Sequence, residues 1–127
     1  MTKSAIRSDQ APKAIGPYSA GIKIGNFVYT AGQLGLDPNS GELTPGGVEA
    51  QTRRALENIS NILHAAGGTM ENIVKTTVFL QDMNDFARMN SVYASFFDST
   101  PPARSTVQVA GLPKGGLVEI EAIAILE

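Results

Sequence analysis

The chain has 127 residues, 10 Lys and Arg against 12 Asp and Glu, and a formal net charge of −2. That length suits one domain spanning residues 1–127, which can bury roughly two thirds of the surface its unfolded chain exposes. The absence of cysteine excludes disulfides and thiol catalysis, and the acidic balance argues against nucleic acid or anionic membrane as a main partner. Residues 1–15 are polar and without period, so we read them as an arm; with no apolar run they do not form a secretory signal. "GIKIGNFVYTAG" holds two β-rich runs around Gly25-Asn26, a hairpin pattern. "GLDPNSGELTPGG" is a loop; its spacing misses the glycine and carboxylate positions of a calcium-binding EF-hand.

An amphipathic helix follows. Val48, Thr52, Ala55, Leu56, Ile59, Ile62, Leu63 and Ala66 form its apolar stripe, and Arg53, Arg54, Glu57, Asn58, Asn61 and His64 its polar side. Gly67-Gly68 ends it. "NIVKTTVFLQD" reads as a strand, and "MNDFARMNSVYASFF" as a second helix capped by Asn84 or Asp82. The second helix carries a stripe of Phe86, Met89, Tyr93, Phe96 and Phe97, on which Asn90 also falls, so an amide is expected to point inward. Pro101-Pro102 stops this helix; "RSTVQVA" and "LVEIEAIAIL" are strands joined by "GLPKGG" and are expected to pair antiparallel. The economical packing is α+β: a mixed sheet of about six strands backed by two helices on one face.

The last strand places Val118, Ile120, Ala122, Ala124 and Leu126 on one side and Leu117, Ile123 and Ile125 on the other. Two helices cover one face only, so a partner subunit is the expected cover for the second. The charged fraction of 17% points the same way, being low beside the ~25% of a typical globular protein. No segment approaches the ~20 apolar residues of a membrane span. With no cysteine the chain fits a reducing compartment, and we expect a cytoplasmic protein.

Glu119 and Glu121 interrupt the second apolar face. If the final hairpin were symmetric about "GLPKGG", Gln108 would oppose Glu119 and Thr106 would oppose Glu121, and Arg104 would share their face. Two readings follow. One is a structural ion pair. The other is a site for a small anion, for which arginine offers a bidentate fork set at a fixed place by the rigid Pro-Pro before it.

The segments "IGPYSAG", "YTAGQLGLDPNSGEL", "QTRRALENI", "VKTTVFLQDMNDFARMN", "PPARSTVQVAGLP" and "VEIEAIA" resemble the Rid family, also called YjgF, from about Ala11 to Ile125. The resemblance implies a chorismate-mutase-like fold, a homotrimer with sites in clefts between subunits, and hydrolysis of 2-imino acids and their enamine tautomers to 2-oxo acids and ammonia. It implies 2-aminoacrylate/2-iminopropanoate and 2-iminobutanoate as substrates, and neither metal nor organic cofactor. By the same resemblance Arg104 and the Gly32 amide bind the substrate carboxylate, Glu119 holds a water, and Tyr18 closes the pocket. Ala31 stands where serine is frequent and Thr106 where cysteine is frequent; both line the pocket, and Asn90 borders it. A regulatory or chaperone-like binder of small carboxylates is the alternative, with an endoribonuclease or translation inhibitor behind it. His64, the lone histidine, and Arg53-Arg54 read as a solvated helix face.

Overall fold

The arm is not free. In the computed structural model, which describes residues 1–127, Ser4–Ile6 forms strand β1 and pairs antiparallel with β2 (Gly21–Ile24), Ile6 opposite Gly21. The anchor is Ile6, which is buried, and the smallness of Gly21: a Cβ there would lie 2.9 Å from Ile62 and 3.2 Å from Ile6. Periodicity could not reveal a three-residue strand held by one side chain. β2 turns into β3 (Phe27–Thr30) through Gly25-Asn26 as expected, with Gly25 in the left-handed region at φ 56°.

After β4 (Gln33–Leu34) and the loop, α1 runs from Gly47 to Ala65. Its stripe of Ala55, Leu56, Ile59, Ile62 and Leu63 is fully buried. Asn58, assigned to the polar side, is fully buried too. Its amide donates to the carbonyls of Leu34 and Leu36, and its oxygen accepts from Arg54, so a polar residue ties the loop after β4 to the helix.

β5 (Ile73–Leu80) leads to a 3₁₀ turn at Met83–Asp85 and then α2 (Phe86–Ala94), shorter at both ends than its periodicity suggested. The Asp82 carboxylate caps the 3₁₀ turn, accepting from the Asn84 N–H at 2.9 Å. α2 itself starts after Asp85 without a side-chain cap, so neither Asn84 nor Asp82 caps that helix as the sequence suggested. β6 (Ala103–Gln108) and β7 (Val118–Ile125) complete a seven-stranded mixed sheet of order β1-β2-β3-β7-β5-β6, with β4 also on β7. The helices and sheet share one core.

One expected pairing is wrong. β6 and β7 are not neighbours; β6 pairs parallel with β5, and β7 pairs antiparallel with the other edge of β5. The strand–helix–strand unit β5-α2-β6 makes a crossover, which sets its strands parallel. The "GLPKGG" segment then spans the end of β5, where the Val109 N–H donates to Leu80 and the Gln81 N–H to Leu117. Composition agrees: the polar β6 suits an edge, and the apolar β7 suits the middle.

Candidate active site

Arg104 sits on β6 opposite Thr76 of β5, and therefore on the face covered by α2. Phe86, Asn90 and Tyr93, one stripe of that helix, all meet it. Nη1 donates to Asn90 Oδ1 at 2.7 Å, and the guanidinium carbon lies 4.7 Å from the Tyr93 ring centre and 5.4 Å from that of Phe86. The expected inward amide of Asn90 is thus an acceptor for the arginine. A groove of about 430 Å³ opens beside it, lined by Asn90, Tyr93, Phe97, Pro101, Pro102 and Arg104 among others. No carboxylate pairs with Arg104; the two ion pairs of the chain are Arg54–Glu57 and Arg88–Asp85.

Glu119 lies elsewhere. Val118 and Ile120 point into the core, so Glu119 projects from the other face, opposite Phe79 and Leu34. Arg104 and Glu119 therefore do not converge within one chain, and the structural ion pair between them does not exist. The cause is the topology: a hairpin would have aligned their faces, and the crossover does not. Thr106 and Gln108 go with Arg104, and Glu121 with Glu119. The Thr106 hydroxyl is buried without a partner, and Gln108 instead accepts from the Met83 N–H at 2.7 Å.

Gly32 accompanies Glu119. Between the pairs Tyr29–Ile123 and Gln33–Ile120, the three residues Thr30 to Gly32 face the two residues Glu121 and Ala122. This bulge breaks the ladder and turns Ala31 and Gly32 out of register. Thr30 Oγ1 accepts the Ala122 N–H, and the Ala31 N–H donates to Ala20. The Gly32 N–H has no acceptor in the chain. A Cβ on Gly32 would lie 2.7 Å from Glu119 Oε1, so glycine is what lets the carboxylate lie against the backbone here. Burial, and then the nearby Glu121 carboxylate, push the Glu119 pKa above that of an ordinary glutamate.

Tyr18 stands two residues before Ala20, the residue that holds the Ala31 amide. Its ring is exposed, and its hydroxyl accepts from the Ile15 N–H. The expected site residues thus fall into two separate groups in one chain: Arg104, Asn90 and Thr106 on the helix side of the sheet, and Glu119, Ala31 and Gly32 on the open side. Tyr93 and Phe86, read from sequence only as core residues, belong to the first. Their spacing with Asn90 on one helical stripe was the available signal.

Residues 8–126 match the family described as endoribonuclease L-PSP. The chain belongs to this family, the Rid (YjgF) family. Its curated relatives include a 2-iminobutanoate/2-iminopropanoate deaminase of Bos taurus, 52% identical over 98% of this chain and 91% of that protein. A RutC family protein of Pyrococcus abyssi is 50% identical over the full length of both. Among solved structures, TdcF of E. coli with bound serine superposes with a TM-score of 0.93 at 48% identity, covering 98% of this chain and 99% of that one. The Rid fold, a mixed sheet with two helices, is therefore the fold of this protein.

Proposed function

We propose that the protein is a hydrolytic deaminase of 2-imino acids and their enamine tautomers, acting in the clefts of a homotrimer. The observation that carries this reading is Arg104. It is a partly buried cation whose only hydrogen bond goes to a neutral amide, with its Nε–Nη2 edge unpaired in the chain. A desolvated guanidinium without a carboxylate is costly unless an anion is meant to meet it. A 2-imino acid brings that carboxylate on the atom next to its reactive carbon.

The open sheet face supplies the rest. It exposes Phe27, Tyr29, Val107 and Ile125, an apolar surface suited to burial against another copy. Assembly would bring Arg104 of one copy near Gly32 and Glu119 of the next. Arg104 and the Gly32 N–H then hold the substrate carboxylate, with Asn90 and Thr106 at the wall and Ala31 and Tyr18 at the rim. Glu119, whose carboxyl pKa is held by burial above the ordinary glutamate range, holds a water against the imine carbon and takes its proton. The new C–O bond gives a carbinolamine. Protonation of its nitrogen and cleavage of the C–N bond release ammonia and leave the 2-oxo acid. The imine is already electrophilic, so orientation and one acid–base group suffice.

The bovine relative is named for this reaction. The bound serine in TdcF also fits a second reading, a binder of small amino or oxo acids without turnover. The deciding experiment adds the purified protein to a system that generates 2-aminoacrylate and follows pyruvate release. Acceleration over the spontaneous rate supports the deaminase. No acceleration from a protein that binds 2-oxobutanoate establishes the binder.

A further inference from the structure

Three residues of α2 hold the guanidinium of Arg104, the Phe86 ring being the more distant at 5.4 Å, and of the three only Asn90 is placed at the substrate. Asn90 fixes it in its plane, at 2.7 Å from Nη1. Tyr93 fixes its face, 4.7 Å below. The tyrosine is itself tied down. Its hydroxyl bonds to Thr76 Oγ1 at 2.7 Å, and both residues are buried. Thr76 is the β5 residue directly opposite Arg104 in the parallel ladder and directly opposite Ala122 of β7 in the antiparallel one. The tyrosine ring also packs on Phe97, with centroids 4.8 Å apart.

The result is a closed loop: sheet residue Thr76, its hydroxyl partner Tyr93, the guanidinium on the Tyr93 ring, and the Arg104 backbone returning to the sheet beside Thr76. We propose that Tyr93, tethered to Thr76, is a positioning residue that fixes the plane of Arg104 so that its Nε–Nη2 edge faces the cleft before substrate arrives. The inference rests on the deaminase or carboxylate-binding reading of Arg104 given above. A long, flexible side chain loses rotamer freedom when it clamps a ligand. A guanidinium already stacked on a fixed ring has lost much of that freedom beforehand. An arginine fork recognises a carboxylate only when the two planes are aligned, so the ring governs affinity while the chemical step is left to Glu119. A core tyrosine needs a hydroxyl partner but no cation on its face; a positioning tyrosine needs both, and Tyr93 has both.

The test uses the full-length protein and three substitutions: Tyr93→Leu, which removes ring and tether, and Tyr93→Phe and Thr76→Val, which remove the tether alone. Three readouts are taken: KM and kcat in the 2-aminoacrylate system, the Kd for 2-oxobutanoate, and the ring-current shift of the Arg104 Nε–H proton without ligand. Tyr93→Leu is expected to raise KM and Kd roughly fivefold to thirtyfold, the range of a desolvated cation–π contact, with kcat within about twofold. Tyr93→Phe and Thr76→Val should each raise them about twofold to fivefold, and the double variant no further, because they cut one bond. The Arg104 proton should move in all three.

A drop in kcat at constant KM overturns the proposal, since Tyr93 would then act on the chemistry. An unmoved Arg104 proton and unchanged Kd in Tyr93→Phe and Thr76→Val also overturn it, even if Tyr93→Leu fails to fold. Failure of the parent reading looks different: the wild-type protein neither turns over the imine nor binds 2-oxobutanoate, while the Arg104 proton still decides whether Tyr93 holds the arginine.

Discussion

Arg104 and Glu119 flank the same strand yet face opposite sides of the sheet. Arg104 is level with Thr76 under α2, and Glu119 is level with Phe79 on the open face. A site that needs both must draw them from two copies. Arg104→Ala and Glu119→Gln should therefore each be inactive alone but complement when co-assembled. In randomly mixed trimers about a quarter of the clefts receive an intact arginine and an intact glutamate. Activity near that level after joint refolding supports the shared site. Two dead variants that stay dead when mixed, in trimers shown to exchange subunits, would place both residues in one copy's site. A monomer by sedimentation at micromolar concentration would remove the shared site altogether.

Arg104→Ala should weaken 2-oxobutanoate binding at least about tenfold, because a charge-assisted hydrogen bond contributes ~1.5–3 kcal/mol. Arg104→Lys should recover little. An ammonium matches neither the fork nor the flat stacking on Tyr93. Calorimetric titration gives both numbers, and a lysine variant with wild-type affinity would reduce Arg104 to a point charge.

Glu119→Gln should lose turnover while keeping most of its product affinity. It should also melt higher than the wild type at neutral pH. The Glu119 pKa is raised in the folded protein, so the folded state binds more protons between the ordinary glutamate value and the raised one. That stabilisation is complete below the ordinary value and is lost as pH rises through the raised one. The glutamine variant avoids the loss, so its advantage should shrink to nothing as pH falls below about 4. Melting curves across pH with a constant difference would mean that the Glu119 carboxylate is not strained by burial.

Two glycines should separate function from stability. A Cβ at Gly32 meets only the end of the Glu119 side chain, whereas at Gly35 it would lie 2.5 Å from the Gln51 Cα and 2.6 Å from the Gln51 carbonyl oxygen on α1. Gly32→Ala should keep near-wild-type melting but displace the carboxylate and lower kcat. Gly35→Ala should cost about 1–3 kcal/mol of stability through backbone overpacking. Denaturant melts and steady-state rates on both variants check the contrast; a Gly32→Ala enzyme with full activity would detach Glu119 from the reaction.

RNA binding should be weak and should fade as salt rises, because an acidic chain with scattered cations neutralises few phosphates at once. Filter binding at low and moderate salt measures this. RNA cleavage by a nuclease-free preparation, abolished by a single substitution, would reverse the expectation.

The elements were readable because their periods are strong: the α1 stripe, the Gly25-Asn26 turn and the doubly apolar β7 each follow from local sequence. Strand order was not. Nothing within "RSTVQVA" or "LVEIEAIAIL" states whether they pair with each other or with opposite edges of β5. That information lies in the connection, where α2 forces a parallel crossover. The site suffers accordingly: the hairpin reading puts Arg104 and Glu119 on one face, and the strand order separates them. Asn58 escaped because its partners, the carbonyls of Leu34 and Leu36, are more than twenty residues away in sequence.

The position of β7 bears on how the chain folds. Strands β1 to β3 and strands β5 to β6 share no ladder; each group reaches the other only through β7. During synthesis both groups emerge before the strand that joins them. Until residues 118–125 leave the ribosome, the facing edges of β3 and β5 are unpaired, and the apolar side of α1 lacks Val118, Ile120 and Ala124 to pack on. Such open edges are where nascent chains associate wrongly. A late central strand also makes the contacts long-range, which slows folding. Productive folding should therefore wait for β7, with the sheet closing in one late step.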